Sequence, residues 1–441
     1  MLPSPLSPGD GKDTGSKAAV APPAVIPAIW RQVRWQVLAL LFFVTVINFV
    51  HRQTLSVVAP VLRDEFHLSN SDYGGIASAF MFGMMVGEFP IGSLMDRAGV
   101  RSGFSFSVVW WSLAAGLNAI ARSAMQFSIF RFWMGTGECG NFSGGMKVVS
   151  EWFPARERAF AVGIFNAGSM IGSLITPPLI VYLMLHYGWR FAFLGPSLLG
   201  FVWVIVWRSR YKPLAEHPGV SRAELDYIRS GQPAQVGETP RGTALLRHKQ
   251  GWGLILCRFL VGPVIQFYWF WMPEYLYRSR HLSLAAIGLF AWIPYLFGDF
   301  GSIGGGWAAG VLMRRGMSLN TARLTTMWCG AVCCAMSIGV ARAESAAVAI
   351  AFICLVMFGH TWLSANMFAA ISDIYPEGAV GRMTALTGIA GGISGVLFPR
   401  LTGFLVDQFS YTPVFLIAAF MPAAGVLCLG MMARKFQRIT V

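Results

Sequence analysis

The residues most able to do chemistry in this sequence are ionisable side chains inside long apolar stretches. On insertion scales each costs roughly 2.5–3.5 kcal/mol to place in a bilayer, so such groups face a polar interior and usually serve a function. The positive groups are Arg52, Arg131, Lys147, Arg258 and Arg400, the negative ones are Glu88, Glu138 and Asp299, and His51 and His360 lie in similar stretches. Because positive charge is in excess, we predict an interior that attracts an anion.

Arg52 follows the apolar run from Leu38 to Val50. A guanidinium fork matches the planar geometry of a carboxylate, and its paired hydrogen bonds strengthen in a low dielectric. We therefore expect Arg52 to bind the carboxylate of the anion. The alternative is a structural ion pair with Glu88 or Glu138.

Arg131 and Glu138 have a spacing that places both on one face of a helix, two turns apart. Burial and a neighbouring guanidinium have opposite effects on the protonation of a carboxyl group. Glu138 is therefore predicted to be a proton site whose occupancy changes when the interior opens or an anion arrives.

The other buried charges allow two interpretations each. Lys147 either extends its ammonium to the membrane interface or makes a second contact with the anion. His360 either donates a hydrogen bond to the anion or is a core histidine bonded to a carbonyl group, which is the commoner case. Arg258 and Asp299 lie in the second half of the chain, where we expect them to pair with each other.

The elements that carry these groups are membrane-spanning helices. Of the 441 residues, 55% are hydrophobic and 12% are charged, whereas a soluble domain has about 25% charged residues. Interpreting apolar runs of about twenty residues as spans gives twelve of them, called spans 1 to 12. They cover residues 35–58, 73–95, 103–121, 126–150, 159–184, 191–209, 251–273, 284–312, 323–341, 346–370, 383–406 and 412–433.

The net charge of +14 would suit a nucleic-acid-binding protein. With the N-terminus in the cytoplasm, however, most Lys and Arg fall in cytoplasmic segments, as the positive-inside rule of membrane proteins requires. This distribution explains the charge without nucleic acid, and both termini are predicted to be cytoplasmic.

The chain divides into two bundles, a linker and two tails. Residues 1–34, rich in Pro, Ala, Ser and Gly, are predicted to be a disordered tail and not a signal peptide. The bundles cover 35–209 and 251–433, and a short tail covers 434–441. In the polar linker at 210–250, the capping-box spacing of Ser221 and Glu224 predicts a short amphipathic helix.

The two halves repeat each other at a constant offset. Ser150-Glu-Trp-Phe-Pro154 corresponds to Ser372-Asp-Ile-Tyr-Pro376, and the same offset relates Pro177 to Pro399. Parallel repeats of this kind form two bundles that face each other across a central site. We therefore predict an all-α membrane protein with twelve transmembrane helices in two pseudo-symmetric six-helix bundles.

Other kinds of chemistry are not supported. The seven cysteines lie in apolar stretches, and no His or Cys pair has metal-ligand spacing with polar neighbours, so neither disulfides nor a metal site is expected. No polar segment has a Gly-rich phosphate-binding loop, and none has a nucleophile–base constellation. We predict no enzymatic activity and no cofactor.

The stretch from Gly92 to Arg101 resembles the cytoplasmic signature of the major facilitator superfamily, between spans 2 and 3. Gly92 and Gly99 permit close packing and a tight turn. Asp96, at the end of span 2, is expected to point to the N-terminus of a neighbouring helix. The resemblance implies a conformational switch at Asp96, with Arg97 and Arg101, that locks the cytoplasmic side while the carrier is open outward.

A narrower resemblance covers nearly the whole chain. Its marks are similar to the anion:cation symporter family, which carries sugar acids, and in particular to hexuronate transporters. They are Arg131 and Glu138, the Ser150–Pro154 motif, Gly163-Ile-Phe-Asn166, Lys147, Pro177-Pro178, Asp226-Tyr-Ile with Gly231-Gln232, Arg258-Phe-Leu, and Phe290-Ala-Trp-Ile-Pro294 with Asp299.

This resemblance implies a substrate-binding arginine at Arg52 and a proton-coupling carboxylate at Glu138, with Arg131 as the partner of Glu138. Arg131 is also a candidate for binding the substrate. Many members have an acid immediately before the arginine of span 1, where this chain has His51. Histidine also exchanges a proton near neutral pH. His51 is therefore expected either to share the coupling or to donate a hydrogen bond to the sugar.

Aromatic residues cluster in span 7 between Phe267 and Trp271. Some must face lipid or form an interfacial belt, whereas a sugar ring would pack on another. Tyr268 and Trp269 are the candidates for that contact.

These observations predict a monomeric, proton-coupled symporter that imports a hexuronate across a bacterial inner membrane. Its partners are the anion, protons and the lipid bilayer. One alternative is a transporter of another organic anion, such as an aldonate, glucarate or an aromatic carboxylate. The other is a non-transporting anion receptor of the same fold, although the tail at 434–441 is short for a partner-binding domain.

Overall fold

Helices account for all the regular structure in the residues that the computed structural model describes, which are 32–230, 245–433 and 436. Most of both predicted tails, 1–31 and all of 434–441 except residue 436, lies outside this part of the chain, as do residues 231–244 of the linker. Gly231 and Gln232, which carry part of the family resemblance, are among these linker residues.

Twelve spans cross between two faces of the molecule, and short turns make successive spans run in opposite directions. We call the face where span 1 begins the proximal face and the opposite one the distal face. Span 1 is Val33–Phe66; spans 2 and 3 are the two halves of Asn70–Leu117; span 4 is Ala124–Glu138 with Gly140–Trp152; span 5 is Ala155–Tyr187; span 6 is Trp189–Arg210; span 7 is Lys249–Arg278; span 8 is Leu284–Phe290 with Ile293–Arg314; span 9 is Leu319–Ala335 with Ser337–Arg342; span 10 is Ala346–Ile374; span 11 is Glu377–Gln408; and span 12 is Tyr411–Met432.

Ten stretches of the described residues are long and apolar enough to cross a membrane by length and composition alone. Spans 2 and 4 are the two that fall short of this criterion. Span 4 carries the charges of Arg131 and Glu138, and its helix is interrupted at Cys139.

Helix boundaries follow local sequence signals in both halves. Gly99, with φ 75° and ψ 155°, separates spans 2 and 3 in a conformation that favours glycine. Pro154 and Pro376 are the N-caps of spans 5 and 11, with φ/ψ of −63°/153° and −65°/156°. Since these prolines end the two repeated motifs, the internal repeat of the sequence is also a repeat of structure.

Glycines bring two pairs of helices into close backbone contact. A Cβ atom on Gly83 of span 2 would lie 2.1 Å from the carbonyl oxygen of Phe132 in span 4. One on Gly301 of span 8 would lie 2.1 Å from the carbonyl oxygen of Phe358 in span 10. Spans 8 and 10 are the repeats of spans 2 and 4. The same close contact of helices at a glycine therefore positions the functional groups in both bundles.

Charged residues join the two bundles at the distal face, between spans 1 and 7. Glu274 of span 7 is completely buried and forms ion pairs with Arg63 of span 1 and, at 2.5 Å, with Arg278 of its own helix. Arg278 also pairs with Asp64 of span 1 at 2.6 Å. Removing one partner of a buried ion pair costs about 3–5 kcal/mol, so this network stabilises a closed distal face.

Spans 2 and 11 are joined at the same face by a helix cap. The carboxylate of Asp407 accepts hydrogen bonds from the backbone N–H groups of Asn70 at 3.0 Å and Ser71 at 2.7 Å. The first N–H groups of a helix have no partner within it, and the helix dipole favours an anion at that end. Asp407 therefore ties the end of span 11 to the start of span 2.

The linker contains the helix Arg222–Ser230, which docks on the first bundle. Ser221 Oγ accepts a hydrogen bond from the backbone N–H of Glu224 at 3.1 Å, as a capping box requires. The Glu224 carboxylate, however, accepts from the backbone N–H of Arg34 at 3.2 Å. It therefore caps the start of span 1 instead of its own helix.

Candidate functional site

A cavity of about 650 Å³ lies between the two bundles, a size typical of small-molecule sites. Phe49 of span 1 and Trp269 of span 7 line it with aromatic rings, whose centroids are 6.1 Å apart. The polar side chains in its wall are Asn166, Ser169 and Ser173 of span 5, Tyr295, Asp299 and Ser302 of span 8, and Thr361 of span 10. Both bundles thus contribute to one site, whose mainly apolar and aromatic lining carries several polar side chains.

Arg52 lies at the edge of this cavity. Its guanidinium carbon is 4.6 Å from the centroid of Phe49, a lining residue, and 14% of its side chain is exposed. Its Nε donates to Glu138 Oε2 at 3.0 Å, and Nη2 donates to Asn48 at 3.4 Å. The structural ion pair that the sequence offered as an alternative is therefore present in this conformation.

Arg131 is not the ion-pair partner of Glu138, contrary to what the family resemblance implied. Its Nη1 donates to the backbone carbonyl groups of His51 at 3.4 Å and Arg52 at 3.2 Å, and the side chain is almost completely buried. Arg131 and Glu138 share a helix face, but the arginine reaches the backbone of span 1. Arg131 therefore positions the segment of span 1 that carries Arg52.

Glu138 is the last residue of the first helix of span 4, and its side chain is completely buried. One carboxylate oxygen accepts from Arg52, whereas Oε1 has no hydrogen-bond partner among the described residues. A buried carboxylate with one unsatisfied oxygen is costly in its charged form. The arrangement is therefore suited to a group that changes between an ion-paired state and a protonated state.

His51 lies between spans 1 and 6, not in the wall of the cavity. Its ring carbon Cε1 is 3.7 Å from where a Cβ on Gly200 would be. The residue is 2% exposed, and its ring is close enough to the backbone of Pro196 in span 6 for a hydrogen bond. In this conformation a ligand in the cavity has no direct access to the imidazole.

Lys147 pairs with Asp96, and this contact lies within the first bundle near the proximal face. Asp96 therefore binds a side chain of span 4 here, instead of the helix N-terminus expected for it. Arg101 donates to the backbone carbonyl of Arg208 in span 6, and Arg97 is exposed. Gly92 has open space where a Cβ would stand.

In the second bundle, only one of the two aromatic candidates faces the cavity. Trp269 lines it, whereas Tyr268 is buried within its own bundle, 2.7 Å from the hydroxyl of Ser337. His360 Nε2 is 3.1 Å from the carbonyl oxygen of Val261. The histidine thus contacts a backbone carbonyl group, as expected for a core histidine.

Arg258 and Asp299 are not paired with each other, so that prediction is wrong. The Arg258 guanidinium carbon lies 5.1 Å from the ring centroid of Phe368 in span 10, and Arg258 is not one of the residues that line the cavity. Asp299 faces the interior, as predicted, but it lines the cavity without Arg258 as its partner. The available signal was the spacing of Tyr295, Asp299 and Ser302, which is that of a helix face.

The excess positive charge predicted for the interior is not gathered at the cavity. Lys147 is paired near the proximal face, Arg258 faces Phe368, and Arg400 is exposed. Arg52 is the cation beside the cavity lining, and Glu138 compensates it in this conformation. In the described part of the chain, no group of three His, Cys, Asp or Glu is arranged to hold a metal ion.

Comparisons with known proteins agree with this architecture. The hexuronate transporter of Escherichia coli (strain K12) is 32% identical over 402 residues, covering 89% of this chain and 92% of that protein. The galacturonate transporter of Dickeya chrysanthemi is 34% identical over 278 residues, covering 62% of this chain and 81% of the relative. Both are transporters, which agrees with the prediction that this chain is a transporter and not an enzyme.

The fold is also that of solved transporters. A bacterial homolog of the human lysosomal transporter Spinster, in an inward-facing and unoccupied conformation, has a TM-score of 0.71 at 18% identity and covers 92% of this chain. The predicted all-α fold of twelve helices in two bundles is confirmed. The model of the Major Facilitator Superfamily matches residues 41–399 and 319–438, and this chain belongs to that superfamily.

Proposed function

We propose that this protein is a proton-coupled symporter that imports a small sugar-acid anion of the hexuronate class across a bacterial inner membrane. The observation that carries this proposal is the ion pair between Arg52 and Glu138 at the edge of the cavity. The pair puts a carboxylate-binding group and a proton-binding group in direct contact, where each changes the state of the other.

The coupling follows from competition for one guanidinium. When Glu138 is ionised, it occupies Arg52 at 3.0 Å. Protonation of Glu138 removes its charge and frees Arg52 for the carboxylate of the substrate. An unpaired buried guanidinium is strongly unfavourable, so proton and anion bind more favourably together than either does alone, and the coupling is reciprocal.

Alternating access uses the contacts at the distal face. If the proximal face is cytoplasmic, as the distribution of Lys and Arg suggests, this conformation is closed to the outside. Opening outward then requires separation of Glu274 from Arg63 and of Asp407 from the start of span 2. Both termini are cytoplasmic in this arrangement, and the cavity lies within one chain, so a monomer suffices.

The substrate class rests on the relatives. The hexuronate and galacturonate transporters named above match this chain over most of their lengths. A cavity of about 650 Å³ whose mainly apolar walls carry several polar side chains and two aromatic rings suits a ring or chain bearing hydroxyl groups. Packing of such a ring on Trp269 is part of the proposal, and Lys147, Tyr268 and His360 lie outside the proposed contact surface.

The test is uptake by the purified protein in proteoliposomes. Labelled glucuronate and galacturonate are offered with an inward proton gradient, without a gradient, and with the gradient collapsed by an ionophore. We expect accumulation above the external concentration only with the gradient intact. Uptake that stops at equilibration under every condition would contradict symport, and absence of uptake of both acids would contradict the substrate class.

A further inference from the structure

We propose that Asp299 of span 8 selects polyhydroxylated anions by accepting hydrogen bonds from hydroxyl groups of the substrate. This inference rests on the proposed function. It identifies the group that binds the end of the substrate opposite its carboxylate. Arg52 takes the carboxylate from the first bundle, and Asp299 takes the hydroxyl groups from the second.

Asp299 lies on a polar stripe of span 8 that faces the cavity. Tyr295, Asp299 and Ser302 follow one another at intervals of one turn, and all three line the cavity. A carboxylate offers two acceptor oxygens, which suit a pair of neighbouring hydroxyl groups. The tyrosine and serine hydroxyl groups are positioned to extend the same hydrogen-bonding surface.

The orientation of this stripe is fixed by packing behind it. The hydroxyl of Thr361 in span 10 donates to the backbone carbonyl of Gly298, the residue before Asp299. A Cβ on Gly305 would lie 2.5 Å from the carbonyl oxygen of Trp362, so span 8 cannot rotate about its axis without steric conflict. Asp299 is therefore held toward the cavity by its neighbours.

The part of the wall that span 5 contributes has complementary polar groups. Asn166, Ser169 and Ser173 line the cavity, and Asn166 Oδ1 is buried without a hydrogen-bond partner in the described residues. A ligand with many hydroxyl groups provides donors for this amide oxygen and for Asp299 together. The cavity therefore has unfilled hydrogen-bonding capacity on two sides.

Charge explains why Asp299 discriminates between anions. No ion pair involves Asp299 in the part of the chain that the structure describes. A carboxylate that is not paired with a cation repels an anion that donates no hydrogen bond to it, because like charges in a low dielectric interact strongly. Hydroxyl donors offset that repulsion, and an anion lacking them leaves the acceptor unpaired.

The experiment compares two acids of similar size in the purified, full-length protein. Glucuronate carries hydroxyl groups on its ring, whereas cyclohexanecarboxylate has the carboxylate and none. Equilibrium binding of each is measured for the parent and for Asp299→Asn. We expect the parent to prefer glucuronate, and the variant to bind glucuronate at least tenfold more weakly while its affinity for cyclohexanecarboxylate is unchanged or improved.

Glu344→Gln is the matched control, because Glu344 is an exposed carboxylate in the turn before span 10 and should leave both affinities unchanged. Ser302→Ala removes one hydroxyl of the stripe and should reduce glucuronate binding alone, by a smaller factor, which provides a second measure if Asp299→Asn does not fold.

The outcomes separate the two proposals. Equal weakening of both acids, or an unchanged preference for glucuronate in Asp299→Asn, would overturn the role of Asp299 and leave the proposed function standing. If Asp299→Asn keeps the preference but loses accumulation driven by a proton gradient, Asp299 is a proton site, and the selectivity role is rejected. A parent protein that binds no sugar acid contradicts the proposed function and this inference with it.

Discussion

Arg63 of span 1 and Glu274 of span 7 form an ion pair between the two bundles, and the glutamate side chain is completely buried. Arg278 pairs with the same carboxylate oxygen, Oε1, from one turn further along span 7. Removing the buried glutamate leaves Arg63 without its ion-pair partner, which is costly for a buried cation, whereas Arg278 keeps Asp64. This arrangement makes the network a determinant of which face of the carrier is closed.

We predict that Glu274→Gln shifts the protein toward conformations with an open distal face. Loss of the charge removes the attraction for Arg63 and Arg278, and a change of about 1.4 kcal/mol already shifts a two-state population tenfold. Spin labels on Ile120→Cys and Glu344→Cys, exposed sites near the distal ends of spans 3 and 10, report the separation of the bundles. The exposed native Cys329 is replaced by serine beforehand.

Glu65→Gln is the control for that measurement. Glu65 lies at the same face and pairs with Arg190 at 3.3 Å, but both residues belong to the first bundle. It should leave the distribution of distances unchanged. If Glu274→Gln and Glu65→Gln behave alike, the distal network does not determine the closed state.

Arg52→Lys is predicted to weaken substrate binding by roughly tenfold or more, which is about 1.4 kcal/mol. Lysine keeps the charge that compensates Glu138 but loses the fork that binds a planar carboxylate. Equilibrium binding of a labelled hexuronate measures the change. Arg190→Lys, in an exposed ion pair at the distal face, is the matched control and should bind as the parent does. Unchanged binding in Arg52→Lys would mean that another group holds the carboxylate.

Asp96→Asn is predicted to slow transport while leaving substrate affinity nearly unchanged. Asp96 pairs with Lys147 near the proximal face and does not line the cavity. Neutralising it alters the interactions available when that face closes, so exchange between conformations is affected and binding is not. Lys147→Gln removes the other partner and should give the same result. A parallel loss of binding and transport in Asp96→Asn would argue against a role confined to switching.

Sequence periodicity was sufficient for the architecture because spans and their ends have strong local causes. Pro154 and Pro376 are the N-caps of spans 5 and 11, and a proline disfavours the helical conformation in the residue before it. Gly99 allows the turn between spans 2 and 3. Each of these residues acts through its own backbone. Its effect can therefore be predicted from the sequence without knowledge of its neighbours in the fold.

The pairing of buried charges was less predictable because it depends on how each span is rotated against its neighbours. A span that is apolar on all sides has no polar face that would indicate how it is rotated against its neighbours. Arg131 and Glu138 were correctly placed on one face, but the arginine reaches backbone carbonyl groups of span 1 while Arg52 takes the glutamate. Arg258 and Asp299 lie on adjacent spans yet face different surroundings.

Glu138→Gln is predicted to abolish uphill uptake while preserving substrate binding. Glutamine has nearly the shape of the protonated acid, so it leaves Arg52 free for the substrate as protonation would. The variant then binds and exchanges the anion at any pH but no longer requires a proton to do so. Gradient-driven accumulation and substrate counterflow are compared in the same vesicles. We expect counterflow to persist and accumulation to fall to the level without a gradient.

His51→Asn tests whether a second group carries the proton. His51 is buried between spans 1 and 6, away from the cavity wall, so its replacement should leave accumulation coupled to the gradient. Glu151→Gln serves as a carboxylate control in the same span, since Glu151 binds the backbone N–H of Leu214 in the linker at 2.9 Å and lies outside the site. Continued accumulation by Glu138→Gln, together with its loss in His51→Asn, would transfer the coupling role from Glu138 to His51.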